Sequence, residues 1–597
     1  MNNNLSVLEN EPLLVIHEEE HVVNSVDNWA IRDPGRLAIV DRDHQITYQQ
    51  LKADSDHLSL EISKETSVKD SCVIVCMERS ARLISALLGI WKSGNHYLFV
   101  PIDAPKKYVD QLILETGAKL SIQHRDFATN CTTKNEIIID DIFCSESRNE
   151  LHSNSSVNMR AYISYTSGST GNPKGVCVNH ESISRLVKAM SSFDEKTNCL
   201  QISSCSFDAS VLEIWVTLSK GGVLTSYGPG KVITSELSNL LARSSVNTAW
   251  LTSGLFDTMV NKHNESLKNI KFLFTGGDVL NKKNVNCLLG KYAGLTVING
   301  YGPTENTTFT TTFDISSEVT SESVPIGRPI LGTGIALVSN GQVVELGEEG
   351  EIFVFGKGLA SGYVNESLNE GRFINSSFEE INADYFYATG DIAKIINDQL
   401  YFVGRKDDQV KVRGYRIELG HISSVVNELG GVRSSIAISK KDILGENFVE
   451  LVIETDEENW NKEYFDLVKT HIRESLPDYF MPRSVRWVNE CYLNKNGKID
   501  KELMMQNSIE LNNFIDSGMV NTRIEQRLVA LWEELLKIKG IATTDDFFDL
   551  GGHSLLAAEL FDRVSTDFAV SIDAIKFYFN PTIHSLSNSI SELVSDA

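Results

Sequence analysis

The sequence has no excess of basic charge, no long apolar run and no paired-cysteine framework, and each absence removes a class of protein. Its 55 Lys and Arg face 80 Asp and Glu, a formal charge of −25, so the overall field disfavours nonspecific binding to nucleic acid or to an anionic membrane. A local basic pocket for a nucleotide remains compatible with that surface. No stretch approaches the ~18 consecutive apolar residues of a membrane-spanning helix. The opening "MNNNLSVLENEPLLVIHEEEHVV" has no basic segment ahead of an apolar core, so it does not read as a secretory signal. The nine cysteines are odd in number and scattered. Only Cys72 and Cys76 are close, inside the apolar run "CVIVCM", which suits two core thiols better than metal ligands. A reduced, cytoplasmic protein is the expectation.

There is no internal repeat or low-complexity tract, and 597 residues provide for about three to five domains. From about residue 27 to 400, short β-rich runs alternate with helical patterns; "CVIVCM", "AYISY", "KFLFTGG", "LTVING" and "GEIFVFG" are the clearest strands. That alternation predicts an α/β architecture with parallel or mixed sheets. Charge density rises in "GRKDDQVKVRGYRIELG", Gly404 to Gly420, which reads as a boundary before a smaller α/β piece. The polar "QNSIELNNFIDSGMVNT" suits a linker. The last 75 or so residues hold only helical patterns and loops, among them "RIEQRLVALWEELLKI" and "PTIHSLSNSISELV", and predict a small helical bundle.

The stretch "YTSGSTGNPKGV", Tyr165 to Val176, is rich in glycine and hydroxyls and carries one lysine, Lys174. Read between the strand "AYISY" and the helix "ESISRLVKAM", such a loop can turn backbone N–H groups, hydroxyls and one full positive charge towards an anion. The common nucleotide-loop spacing, four residues between a glycine and Gly-Lys-Ser/Thr, is not met, because Asn172-Pro173 precede Lys174-Gly175. An ordinary glycine-rich surface turn explains the stretch equally well until other motifs join it.

Other motifs do join it. "ITYQQL" (46–51), "YTSGSTGNPKGV", "FDASVLEIW" (207–215), "NGYGPTENT" (299–307), "YATGDI" (387–392), "GRKDDQVKVRGYRIELG" and "NKNGKID" (494–500) follow one another along the chain. In this order and spacing they resemble the adenylation domains of nonribosomal peptide synthetases, members of the ANL adenylate-forming superfamily, followed by a peptidyl carrier (thiolation) domain. The resemblance runs from about Asn28 to the C-terminus. It implies a large multi-sheet α/β domain over 1–403, a small mobile α/β subdomain over 404–508, a linker over 509–520 and a four-helix carrier domain over 521–597.

The resemblance also assigns chemistry. The loop Thr166, Ser167, Gly168, Ser169, Thr170, Gly171 and Lys174 would hold the β- and γ-phosphates of ATP. Tyr301 offers a ring for adenine, Thr304 a hydroxyl near the α-phosphate, and Glu305 an oxygen ligand for Mg²⁺. Asp391 would accept the ribose hydroxyls and Arg405 would donate to the ribose. Lys498 would be the catalytic lysine, stabilising charge as a carboxylate attacks the α-phosphate; read alone, "KNGKIDK" is a solvated turn. Asp407 matches the hinge on which the small subdomain rotates between half-reactions, and Gly414 the loop it then brings to the site. In "DLGGHSLLA", Ser554 is the attachment point of 4′-phosphopantetheine, although a serine in that place is otherwise an ordinary helix N-cap.

For the substrate, Asp208 aligns with the carboxylate that pairs with an α-ammonium, which favours an α-amino acid over a fatty or aryl acid. The remaining pocket positions are Ala209, Leu212, Trp250, Phe274, Gly276, Gly300, Thr308 and Phe309, with Lys498 on the carboxylate. The lining is apolar; the three rings shrink the space and Gly276 and Gly300 are expected to open a little of it. The set resembles valine-activating domains, and since one methylene is worth only ~1–3 kcal/mol, neighbouring aliphatic acids would compete. Asn95-His96 and His421 depart from the usual family residues and receive no function.

The expected activity is therefore ATP-dependent loading of an amino acid onto the chain's own carrier. A phosphopantetheinyl transferase is an implied partner, as are a downstream condensation domain or tailoring enzyme and, for some relatives, an MbtH-like protein. No nucleic-acid or membrane partner is expected. An acyl- or aryl-CoA ligase or luciferase-like enzyme shares the phosphate loop, but Asp208 and the fused carrier count against it. A carrier scaffold with a dead adenylation domain is disfavoured by intact Thr304, Glu305, Asp391 and Lys498. The chain opens close to the first motif and ends just after the carrier, which suits an initiation module or a stand-alone loading pair.

Overall fold

The computed structural model describes residues 5–595, apart from 43, 67, 126–130, 141–152, 167–172, 377, 379–380, 408, 413–414, 442–446, 457–460, 493–500, 511–521, 549, 553, 569, 571, 573–576 and 578–579. The chain forms two compact units, the first comprising residues 1–166, 173–230 and 238–407 and the second formed mainly by 408–597.

Three sheets organise the described residues of the first unit. Two are the mixed, mainly parallel sheets that the β/α alternation predicts, one of nine strands and one of seven; the third, also seven-stranded, is antiparallel. The seven-stranded mixed sheet contains Cys72–Cys76, every residue of which is buried, with both thiols in the core. Its neighbour in the chain, helix Ala81–Lys92, is buried on all sides. Such a helix is accommodated only by pairing its charges, and Lys92 meets Asp56 at 2.7 Å and Asp27 at 2.8 Å. The "ITYQQL" motif is a helix start: Thr47 caps the helix Tyr48–Glu65, with Gln50 completing a capping box.

The structure corrects one local reading. The glycine-rich loop does not run directly into a helix. Strand Arg160–Thr166 is followed, after the loop, by the antiparallel strand Lys174–Asn179, with Thr166 paired to Lys174, and the helix His180–Ala189 begins only beyond it. "KGVCVN" contains alternating β-branched and small residues that complete the hairpin, so the segment that follows the loop is a strand and the helix starts only at His180.

In the second unit, strands Val432–Lys441, Asn447–Thr455, Ser484–Val488 and Ile509–Glu510 make a four-stranded sheet. Helices Leu419–Val426 and Lys462–Ser475 supply Ile422, Val426, Val468 and Ile472 to its core, beside Trp487. The chain ends in helices Arg523–Leu536, Ser554–Phe568 and Ile583–Ser595, around a separate core that includes Trp532, Leu556, Leu560 and Ile590. Among the described residues no helix is long and apolar enough to cross a membrane.

Candidate active site

The first unit concentrates the sequence-predicted pocket at the carboxyl ends of three adjacent parallel strands, Thr248–Thr252, Phe272–Gly276 and Thr296–Tyr301. This is where open α/β sheets hold ligands. Trp250 pairs in register with Phe274, and Gly276 with Gly300, so the pleat brings these side-chain positions to one place. Trp250, Phe274, Phe309 and Leu212 share one apolar cluster, with Ala209 packed against it. Phe309 is central: its ring lies 5.6 Å from that of Trp250 and stacks on Phe274 at 6.1 Å.

The glycines do not open space, contrary to expectation. A Cβ on Gly300 would overlap the Phe309 ring, and one on Gly276 would overlap the Gly300 carbonyl and come 3.1 Å from Trp250. The Phe309 ring fills the hollow at Gly300 and the Gly300 carbonyl fills the one at Gly276, so these positions are glycine because their neighbours pack on bare backbone. The pocket is tighter than its composition suggests.

Asp208 stands half-buried before the short helical turn Ala209–Val211, which continues into a π-helical turn, Leu212–Val216. Thr308 meets it twice, donating its backbone N–H to Asp208 Oδ2 at 3.3 Å and its hydroxyl to the Asp208 carbonyl at 2.7 Å. Thr308 and its predecessor Thr307 both have left-handed backbones, with φ of 67° and 51°. Two consecutive threonines there are costly, and backbone held against its preference concentrates at functional sites.

The same loop carries two of the residues assigned to the nucleotide and its metal. Thr304 and Glu305 lie on a single 3₁₀ turn, Thr304–Asn306, directly after the strand ending at Tyr301. Glu305 is almost fully buried and accepts the Tyr363 hydroxyl at 2.7 Å. Tyr301 donates to Asp391 Oδ2 at 2.5 Å while Arg405 bonds Oδ1, so each oxygen of Asp391 already has a protein donor and keeps a second lone pair. Burial and the Asp391 carboxylate push the Tyr301 phenol well above its usual range, so it stays a donor. Arg405 also binds Asp407 at 2.7 Å and Arg372 binds it at 3.1 Å. Burial works against ionisation of Asp407, yet its two arginines hold the carboxyl at about 2. The hinge candidate is thus tied to the ribose candidates, and the first unit ends at this residue.

Thr166 and the buried Lys174 face each other across the hairpin. Ser167, Gly168, Ser169, Thr170, Gly171, Gly414 and Lys498 lie outside the described residues. The backbone of Ser554 opens the helix Ser554–Phe568, after Gly551 at φ 87°; its side chain lies outside the described set.

Sequence reasoning missed three residues that support this site. Arg185 is fully buried and bonds the carbonyls of Asn306 and Phe309. Tyr363 orients Glu305. Glu213 is fully buried in the π-helical turn, accepting the backbone N–H groups of Ile202 at 3.1 Å and Ser203 at 3.0 Å. For Arg185 and Glu213 a signal was present, since each is a charged residue within an apolar pattern, "SISRLV" and "VLEIW". Asn95 and His96 prove structural: Asn95 accepts Ser71 N–H at 3.0 Å, and His96 meets Asp70 at 2.9 Å.

Comparison with known proteins agrees with this geometry. Residues 26–364 match the AMP-binding enzyme family and residues 526–590 match the phosphopantetheine attachment site family. Malpibaldin synthetase of Mortierella alpina is 31% identical over 592 residues, covering 93% of this chain and 10% of that protein. Gramicidin S synthase 2 of Brevibacillus brevis is 30% identical over 575 residues, covering 94% of this chain and 13% of that one. The chain therefore spans a small fraction of the length of these curated relatives. Among solved structures, a holo nonribosomal peptide synthetase protein containing adenylation and carrier domains, bound to a vinylsulfonamide inhibitor, superposes with a TM-score of 0.83 at 27% identity, covering 96% of this chain and 98% of that one. An artificially fused adenylation–carrier di-domain from Klebsiella oxytoca shares the fold, at 23% identity and a TM-score of 0.70, covering 96% of this chain and 98% of that one. With both family matches lying where the strand-end pocket and the C-terminal helices fall, the chain belongs to the AMP-binding enzymes, as a nonribosomal peptide synthetase adenylation domain fused to a peptidyl carrier domain.

Proposed function

We propose that this chain activates an L-amino acid, valine first, and loads it onto its own carrier in a cytoplasmic nonribosomal peptide pathway. A carboxylate oxygen of the amino acid attacks the α-phosphorus of ATP, the bond to the β-phosphate breaks, and pyrophosphate leaves. The aminoacyl-AMP then loses AMP as its acyl group passes to the pantetheine thiol carried on Ser554. The observation that carries the reading is Asp208, half-buried at an otherwise apolar, ring-filled pocket. A carboxylate in that setting matches an ammonium, and a tight apolar lining of three rings suits a compact aliphatic side chain.

The nucleotide would lie along Thr304, Tyr301, Asp391 and Arg405, with the phosphates at Thr166–Gly171 and Lys174. Among the described residues no cluster of protein ligands could cage a metal alone. A single buried carboxylate beside a phosphate site nonetheless suits Mg²⁺, which is usually shared between one or two carboxylates and substrate phosphates. Glu305 would hold it, and it would neutralise charge on the phosphates. Lys498 would meet the charge developing at the α-phosphate. The working division of the chain is 1–403, 404–508, 509–520 and 521–597, with Asp407 as hinge and the Gly414 loop serving the second half-reaction. The partners would be a phosphopantetheinyl transferase, a downstream condensation domain or tailoring enzyme and, where required, an MbtH-like protein.

The test is intact-protein mass after pantetheinylation, with ATP, Mg²⁺ and competing amino acids. A gain matching valine that depends on Ser554 is the expected result. A different aliphatic gain would retain the reaction and reject the pocket reading. No gain on a pantetheinylated carrier with any acid would overturn the proposal.

A further inference from the structure

Arg185 is the unusual residue of the first unit. It lies on helix His180–Ala189, fully buried, and among the described residues no carboxylate stands within ion-pair distance of it. Burial pushes its guanidinium down to about 9, so the charge is kept at neutral pH at a cost in desolvation. Space is reserved for it: a Cβ on Gly358 would overlap the guanidinium and one on Gly332 would come 2.6 Å from its Cγ. A buried guanidinium can fix a geometry that an apolar residue could not.

The geometry is that of the loop between strands Thr296–Tyr301 and Thr311–Ile315. Arg185 donates to the Asn306 carbonyl at 2.8 Å and to the Phe309 carbonyl at 2.9 Å. These carbonyls bracket Thr307 and Thr308, the two left-handed residues. A fork of fixed width spanning both ends of a two-residue step holds the step in its unfavourable conformation. That conformation aims the Thr308 N–H and hydroxyl at Asp208 and turns Phe309 into the strand-end pocket.

We infer that Arg185 is a positioning residue for amino-acid recognition, setting the pose of Asp208 and Phe309 through the Thr307–Thr308 step without touching the substrate. The inference rests on the amino-acid-activating reading. It requires that Arg185 govern the amino acid and not the nucleotide, and that the need for it vanish when position 307 reaches positive φ unaided, as glycine does.

The experiment compares wild type, Arg185→Met, Arg185→Lys and the double variant Arg185→Met/Thr307→Gly in the full chain, by pyrophosphate exchange at varied valine and varied ATP. Arg185→Met should raise KM for valine about tenfold or more, with KM for ATP within about twofold, as expected for loss of two charge-assisted hydrogen bonds on one side of the site. Arg185→Lys, able to serve one carbonyl at a time, should fall between, and stands in should the methionine variant not fold. The double variant should recover most of the valine affinity, which mere loss of packing would not allow. Unchanged KM for valine, a parallel rise for both substrates, or no recovery from glycine would overturn the inference. If wild type exchanges with no amino acid, the underlying reading fails; amide hydrogen exchange over 304–310 then decides. Faster exchange in Arg185→Met that Thr307→Gly slows again supports the bracing, and equal protection in all variants overturns it.

Discussion

Tyr363 donates its hydroxyl to Oε1 of Glu305 at 2.7 Å, in a site where both side chains are buried. A buried carboxylate held through a named oxygen has a fixed orientation, which is what a ligand for a small, geometrically strict cation needs. Tyr363 reaches this place because its strand, Gly362–Tyr363, pairs with Lys174–Asn179, the strand that follows the glycine-rich loop.

Tyr363→Phe removes that one hydrogen bond and little else. The half-saturating Mg²⁺ concentration for pyrophosphate exchange should rise about tenfold, the usual scale for an outer-shell partner of a metal ligand. KM for valine should be unchanged. A Mg²⁺ titration superimposable on wild type would dissociate Tyr363 from the metal.

Phe309 fills the hollow above Gly300, and in the proposed pocket its ring would set the depth. Phe309→Ala should shift kcat/KM from valine towards leucine and phenylalanine by about 10- to 100-fold, the worth of one or more methylene-sized spaces. Gly300→Ala should do the reverse, pressing on the ring and depressing valine more than alanine. Competition among the four acids in one assay reads both, and an unshifted preference in either variant would show that the side chain lies elsewhere.

Lys498→Ala should lower adenylate formation by about 10²- to 10³-fold, as for other preorganised groups facing developing charge. Transfer to the carrier from supplied valyl-AMP should persist. Equal loss of both steps would remove Lys498 from its assigned role.

Two buried ionisable groups give opposing pH dependence. Burial raises the Glu213 carboxyl from 4.5 to about 7, so the stability linked to its proton is full below pH 4.5 and is lost as pH rises to about 7. Burial lowers His21 from 6.5 to about 4, so its contribution is full above pH 6.5 and is lost as pH falls towards 4. Between pH 4.5 and 6.5 their slopes, each about 1.4 kcal/mol per pH unit, oppose one another. Glu213→Gln should leave the histidine term uncompensated, so that stability climbs more steeply with pH across that window. Melting temperatures at pH 5 and pH 6.5 test this; parallel wild-type and variant profiles would refute it.

Much of the site is legible in the sequence because its parts are short and locally composed. A hydroxyl-rich glycine loop, "YGPTE" after a strand and "TGD" within another keep their meaning within a few residues of chain. The structure brings Asp208, Trp250, Phe274, Gly300 and Phe309 together, although Trp250, Phe274 and Phe309 lie outside the quoted motifs. Where sequence and structure part, packing decides. The strand Lys174–Asn179 is indistinguishable by pattern from the approach to a helix, because six residues of small and β-branched character carry too little periodicity to separate the two.

The order of the motifs, the α/β alternation and the helical C-terminal segment are settled along the chain, since residue type and spacing suffice to dictate them. The size of the pocket and the pose of its acid are settled only in three dimensions. Whether a glycine opens space depends on which ring lies across it, and Phe309 reaches Gly300 through a hairpin loop. That loop is braced by Arg185 across sequence separations of 121 and 124 residues. Local pattern has no term for such contacts: a buried arginine and a surface arginine are the same letter until the chain has folded around one of them.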